Sequence, residues 1–187
     1  MNYSLIRESK EPVRGNVGDA GIDVFIPKFT KVYKETLLDY NRSVSKGLKF
    51  NWGGDQLIIQ PGERVKIPTG LYFEVPENYM LLTLEKSSVP YNTGLVIGAR
   101  VVDSSYQGEY FAVLINTSNR EVSIKELTKI VQVVLVPISV DTLLERVDFS
   151  EIYKIKSERG DGAFGSTGEI WNIWNSWEFI LYHSFIN

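Results

Sequence analysis

The stretch Gln56-Leu57-Ile58-Ile59-Gln60-Pro61-Gly62-Glu63-Arg64-Val65-Lys66-Ile67-Pro68-Thr69-Gly70-Leu71-Tyr72-Phe73-Glu74-Val75-Pro76-Glu77-Asn78 decides the fold class. Three short runs rich in Ile, Val, Leu and aromatics are cut by Pro61-Gly62-Glu63-Arg64, by Pro68-Thr69-Gly70 and by Pro76-Glu77-Asn78. β-Branched and aromatic residues suit a pleated, half-buried surface, whereas Pro and Gly punctuate it. The pattern continues outward in both directions. Upstream, Gly21-Ile22-Asp23-Val24-Phe25-Ile26 alternates before Pro27. Downstream, strand-like runs cover residues 79–84, 93–102, 108–116, 122–124 and 129–137. Short strands at close spacing predict an all-β sandwich or barrel.

Three segments fall outside this ladder. Residues from about 30 to 55 are polar and read as an insertion, with a short helix around Lys34 to Asn41. Residues 143–149 read as a short helix or a turn. Residues 148–168 form a charged connector and a glycine-rich arm, and residues 169–187 a tryptophan-rich tail. The organisation expected is therefore a β-domain over residues 1–147, then the arm, then the tail. Trp171, Trp174, Trp177 and Leu181 recur at three- and four-residue spacing, which predicts a helical face that docks.

Composition narrows the chemistry. With 187 residues the chain is long enough to bury a core without staples. A formal net charge of -3 offers no electrostatic case for binding nucleic acid. No membrane span is read, because the apolar tail is short and interrupted by Glu and Asn. The first residues lack a basic region followed by an apolar one, so an intracellular location is expected, cytoplasmic or in a host cell if the chain is viral. Cysteine is absent, which removes disulfides and thiolate metal sites. His183 is the single histidine, so acid–base work falls to Asp, Glu, Lys or Tyr.

Four motifs carry candidate chemistry, and each reads two ways in isolation. Arg159-Gly160-Asp161-Gly162-Ala163-Phe164-Gly165-Ser166-Thr167-Gly168 is either a solvated linker or an arm over a ligand with a polyphosphate end and a flat end. Arg159 supplies a fork for phosphate oxygens, and Phe164 a ring with no place in a pure phosphate cradle. Asp103, in Val101-Val102-Asp103-Ser104-Ser105-Tyr106-Gln107-Gly108, is either a turn cap or a carboxylate able to deprotonate water. Lys86-Ser87-Ser88 is a surface turn or a phosphate contact. Gln132, inside an apolar strand, satisfies a neighbouring backbone group or reaches a ligand.

Taken in order with Ala20-Gly21-Ile22-Asp23-Val24, these motifs resemble the five ordered motifs of the trimeric deoxyuridine triphosphate nucleotidohydrolases, the dUTPases. Pro12-Val13-Arg14-Gly15 and the stretch from Pro61 to Gly70 add supporting matches. The resemblance spans roughly residues 5–168, apart from the insertion. It implies a jelly-roll-like β-fold and a homotrimer whose sites draw on more than one subunit. The implied reaction is hydrolysis of dUTP to dUMP and pyrophosphate with Mg2+ on the triphosphate, limiting uracil in DNA and supplying dUMP for thymidylate synthesis. By position, Asp103 matches the water-activating carboxylate and Tyr106 the ring against deoxyribose. The hairpin containing Gly98, Val101 and Val102 matches the uracil reader. Lys86, Ser87, Ser88 and Gln132 match phosphate contacts. Arg159, Phe164, Gly165 and Ser166 match the mobile arm, and Asp23 a supporting carboxylate.

The chain departs from that pattern at Lys86, where arginine is usual, and at Arg100 and Ala163, where glycine is usual. A dCTP deaminase shares the fold and motif order, but its catalytic Glu position is Val113 here, although its Asn is present as Asn116. A regulatory role through a protein partner, using the insertion or the tail, is compatible with catalysis.

Overall fold

The computed structural model describes residues 1–42, 50–141, 144–152, 155 and 157–159. Phe164, Gly165, Ser166, Ala163 and the tryptophan tail lie outside the described residues, so the arm and helical-tail expectations concern residues outside it. The chain divides into two compact units, Met1–Thr142 and Leu143–Asn187. In the second, the described structure is one short 3-10 helix, Phe149–Glu151. The expectation of a helix or turn over residues 143–149 therefore meets regular structure only at its last residue, among the described residues.

The first unit is a jelly-roll-like β-sandwich built from antiparallel pairs. Among the described residues its strands are β1 (Asn2–Leu5), β2 (Ile22–Phe25), β3 (Phe50–Trp52), β4 (Gln56–Ile59), β5 (Arg64–Pro68), β6 (Leu71–Glu74), β7 (Tyr79–Glu85), β8 (Leu95–Ile97), β9 (Val101–Asp103), β10 (Phe111–Asn116), β11 (Val122–Lys125) and β12 (Lys129–Pro137). They hydrogen-bond in the orders β2-β12-β7-β9, β5-β10-β8, β11-β4-β3 and β1-β6. Alternate residues of β10 and β4 are buried, as a period of two requires of a half-covered strand. Leu57, Ile59, Ala112 and Leu114 among them, with Val24, Ile67, Leu81 and Val133, belong to one apolar core.

One feature differs from the sequence expectation. Residues 93–102 are not one strand. A short helix α2 (Ser88–Thr93) ends at Gly94 in the left-handed region, and β8 and β9 then join different sheets. Gly98-Ala99-Arg100 is the corner between them. Helix α1 (Lys31–Asn41) lies in the segment read as a polar insertion, where a short helix is expected around Lys34 to Asn41, and begins three residues earlier. Thr30 caps it by accepting from the Tyr33 N–H at 3.1 Å. Tyr33, Leu37 and Asn41 recur every four residues and are buried on one face.

Asn41 explains why that helix stays on the body. Its Nδ2 donates to the Lys66 carbonyl at 2.9 Å, and its Oδ1 accepts from the Lys66 N–H at 2.9 Å. Lys66 lies on β5, the edge of its sheet, so one side-chain amide pairs both backbone groups as a neighbouring strand would. Tyr33 Oη adds a bond to the Pro68 carbonyl at 3.1 Å.

Candidate functional site

The sheet β2-β12-β7-β9 carries two separate clusters of polar side chains. One lies where β9 runs along the beginning of β7. Met80 is opposite Asp103, and Leu82 is opposite Val101. A cavity of about 180 Å³ here is lined by Thr83, Ala99, Val101, Val102, Asp103, Tyr106, Tyr110 and Phe111. Asp103 is exposed, and among the described residues no hydrogen bond or ion pair ties its carboxylate. The turn that follows is closed by its backbone carbonyl instead, which accepts from the Tyr106 N–H at 3.1 Å. Turn capping by the carboxylate, the alternative reading of Asp103, has no counterpart in this geometry.

Tyr106 is 42% exposed and folds back over Gly108. Its hydroxyl donates to the Glu109 carbonyl at 2.8 Å. A Cβ on Gly108 would stand 2.4 Å from that hydroxyl oxygen, so glycine is needed for the ring to lie there. Partial burial, with the Glu109 carboxylate as a lesser contributor, pushes the phenol above its ordinary range and keeps it a donor. At the other side of the corner, the Gly98 N–H bonds the Val113 carbonyl at 2.9 Å.

The second cluster lies at the far end of β7. Asp23 on β2 is 4% exposed and pairs with the Lys86 ammonium and, at 2.8 Å, with the Lys129 ammonium. Burial would raise the Asp23 carboxyl, but the two ammonium groups outweigh it and hold it below the usual carboxylate range. Gln132 is opposite Asp23 on one side and Leu84 on the other. Its Nε2 donates to the Glu85 carbonyl at 2.9 Å, so the backbone-satisfying role read from its strand position is met. A Cβ on Gly21 would fall 1.9 Å from Gln132 Oε1, which reserves that position for glycine. Ser87 and Ser88 are exposed at the start of α2, and the Ser87 side chain makes no capping bond. A cleft of about 290 Å³ is lined by Gly15, Asp19, Ala20, Gly21, Asp23, Lys86 and Gln132.

The two clusters do not meet within one chain. From Met80, beside Asp103, to Lys86 is about 20 Å of extended strand at roughly 3.3 Å per residue. Arg159 belongs to the other compact unit and is described there alone.

Three functional-looking pairings were not singled out from the sequence. Lys129 joins Lys86 on Asp23, and only its place at the start of the Lys129-Ile130-Val131-Gln132 motif hinted at it. Glu85 accepts from both the Ile97 N–H and Arg100. Glu109, buried, takes a two-pronged bond from Arg7 at 2.8 and 2.9 Å and also accepts from the Gly70 N–H at 2.7 Å. A carboxylate so enclosed braces the fold. Asn116 is likewise structural: fully buried, it donates to the Ile59 and Arg120 carbonyls and accepts from Ser118. Val113 sits mid-strand opposite Lys66, so the deaminase reading has neither an acid nor an available amide.

The family model described as dUTPase matches residues 53–168. The chain belongs to the dUTPase family. A deoxyuridine 5'-triphosphate nucleotidohydrolase of Hydrogenobaculum is 34% identical over 129 residues, covering 68% of this chain and 86% of its own. A dUTPase of Staphylococcus bacteriophage 80alpha, solved with dUpNHpp, superposes with a TM-score of 0.66 at 22% identity, covering 90% of this chain and 98% of that one. The dUTPase of phage phi11 of S. aureus, described with a structural Mg(II) ion, gives a TM-score of 0.59 at 20% identity, covering 80% and 97%. Among the described residues, no three His, Cys, Asp or Glu side chains converge as a metal cage. A magnesium ion borne on phosphates needs none, because it commonly keeps waters and uses one or two carboxylates. No described helix is long and apolar enough to cross a membrane.

Proposed function

We propose that this dUTP diphosphatase hydrolyses dUTP to dUMP and pyrophosphate with Asp103 as the general base. Asp103 accepts a proton from water, the water oxygen bonds the α-phosphorus, and the bond to the pyrophosphate oxygen breaks. The observation that carries the reading is the contrast between two carboxylates: Asp103 is open beside a cavity, whereas Asp23 is buried beneath two lysines. Only the first is available to take a proton from solvent-borne water.

The nucleobase and sugar occupy the cavity beside Gly98, Val101, Val102 and Tyr106. The corner before β9 reads the uracil edge through its backbone groups. Cytosine, whose donors and acceptors are exchanged at two positions, would leave buried groups unpaired there. The phosphates take Lys86, Ser87, Ser88 and Gln132. Lys86 retains ammonium hydrogens beyond the one given to Asp23, and Gln132 has a second amide hydrogen beyond the one on Glu85. Asp23 supports the site by orienting Lys86. Mg2+ on the triphosphate supplies charge neutralisation at the leaving oxygens. Arg159, Phe164, Gly165 and Ser166 form the arm, with the guanidinium on the terminal phosphate and the ring over the base.

The separation of the two clusters supports the homotrimer that the ordered motifs imply. About 20 Å of strand between Asp103 and Lys86 is more than one nucleotide's phosphates can bridge along β7, so a second copy supplies the phosphate contacts. In an intracellular setting the reaction limits uracil in DNA and yields dUMP for thymidylate synthesis. Pyrophosphate release from dUTP, dCTP, dTTP and UTP, measured in parallel with magnesium, tests the reading. Release from dUTP alone is expected; equal release from dCTP or UTP would contradict it.

A further inference from the structure

A single carboxylate secures both ends of the corner that lies against the nucleobase cavity. Glu85, at the end of β7, accepts from the Ile97 N–H at 2.9 Å through Oε1. The same oxygen accepts from Arg100 Nη2 at 2.6 Å, while Oε2 accepts from Arg100 Nη1 at 3.1 Å. Ile97 is the last residue of β8, and Arg100 the last before β9. Between them stand only Gly98 and Ala99. The backbone adds two ties: the Gly98 N–H to Val113, and the Thr83 N–H to the Arg100 carbonyl at 2.6 Å. Ala99 lines the cavity, followed by Val101, Val102 and Asp103.

We propose that Arg100 and Glu85 are positioning residues, a clamp that sets the 98–100 corner in its pyrimidine-reading conformation before nucleotide arrives; this rests on the proposed dUTP site. The Glu85 side chain is 17% exposed, less than half the exposure of Arg100, so the guanidinium closes over a largely covered carboxylate. Burial opposes ionisation of Glu85, and the Ile97 N–H and the guanidinium prevail, leaving the carboxyl below its ordinary range and charged. The two-pronged Arg–carboxylate geometry fixes direction as well as distance, which a lysine would not. A corner with a glycine at one end and small Ala99 between would otherwise sample many backbone states. Holding it in one state lowers the ordering lost when its N–H and C=O groups meet a base.

The test is the affinity of the full chain for dUMP, dCMP and pyrophosphate by titration calorimetry, with Arg100→Ala, Glu85→Gln and the double variant. Arg100→Ala is expected to weaken dUMP binding about tenfold, the scale of one lost preorganised contact. The preference for dUMP over dCMP should fall, while pyrophosphate affinity stays near wild type, since the corner meets the base alone. The double variant should bind dUMP no worse than Arg100→Ala, because both changes break one interaction. Arg100→Lys retains charge without the fork and should be intermediate, which keeps the test available if Arg100→Ala does not fold. Unchanged dUMP affinity and dUMP/dCMP preference in Arg100→Ala, or in Arg100→Lys if only that folds, would overturn the clamp; so would strictly additive losses. Wild-type turnover of dUTP is followed alongside. If the wild type hydrolyses dUTP and the variants bind as it does, the clamp alone falls. If it neither hydrolyses dUTP nor binds dUMP, the site reading falls with it.

Discussion

The two ends of β7 hold carboxylates of opposite character. At the beginning, Asp103 stands exposed at a cavity, with no partner among the described residues. At the far end, Asp23 is buried, doubly paired and held in its charged form. A base must exchange protons with a water, whereas a support must keep its charge and its place. The difference separates chemistry from scaffolding more clearly than residue type does, because both residues are aspartates that follow an apolar residue.

The sharpest way to break that comparison is to neutralise each aspartate in turn. Asp103→Asn is expected to lower kcat by about 10²–10⁴, the usual cost of a lost general base, with nucleotide affinity within about tenfold. Its melting temperature should match the wild type, since no bond to the fold is lost. Single-turnover pyrophosphate release and a melting curve check both halves. Near wild-type release would remove Asp103 from the role of base.

Asp23→Asn should reverse the pattern, with stability moving first. The amide keeps one acceptor oxygen for one lysine and turns an N–H donor toward the other, for a loss of about 1–3 kcal/mol. Its pH signature has a definite sign. A carboxyl whose folded pKa is depressed binds fewer protons folded than unfolded, so its contribution is present above the unfolded value near 4 and is lost as pH falls through the folded one. Wild-type stability should therefore decline on acidification through that window by more than that of Asp23→Asn. Parallel denaturant midpoints from neutral pH down to about 3 read this directly. Superimposable acid limbs would show that Asp23 holds no special charge.

A smaller effect is expected from Tyr106→Phe. The variant loses the hydroxyl bond to the Glu109 carbonyl but keeps the ring over Gly108. About 1 kcal/mol of turn stability is at stake. KM for dUTP should rise severalfold through a looser ring, with kcat less affected. A change in kcat larger than that in KM would mean the hydroxyl takes part in the reaction.

The strands are legible in the sequence because runs rich in Val, Ile, Leu and aromatics are bounded by turn residues; β4, β7 and β12 fall within a residue or two of the runs that predict them, and β10 starts three residues later. The corner at residues 98–100 is not. Leu95 to Val102 is apolar on both sides of it, and only pairing with different sheets divides β8 from β9. Helix α1 was half legible. Its Lys, Glu and Asp mask a buried face of Tyr33, Leu37 and Asn41, and Asn41 is polar because it completes an open strand edge. The candidate site divides in the same way. Asp103, Tyr106, Lys86 and Gln132 stand in motifs whose order carries information. Lys129 on Asp23, and Glu85 on Arg100, depend on neighbours across the sheet or the corner, which linear spacing does not encode.

In the proposed assembly, Asp103 and Lys86 of one chain serve different sites. Asp103→Asn and Lys86→Ala, each assayed alone, should release pyrophosphate slowly. The decisive measurement mixes the two variants under conditions that exchange subunits and follows release from dUTP. In equal mixture, about one quarter of the sites would combine an intact Asp103 from one copy with an intact Lys86 from another, as expected for random assembly of a cyclic homo-oligomer. Recovery of roughly that fraction of wild-type activity is the predicted result. A mixture no more active than the average of its components, with subunit exchange verified, would mean that one chain's Asp103 and Lys86 act on the same nucleotide, and the account would be wrong.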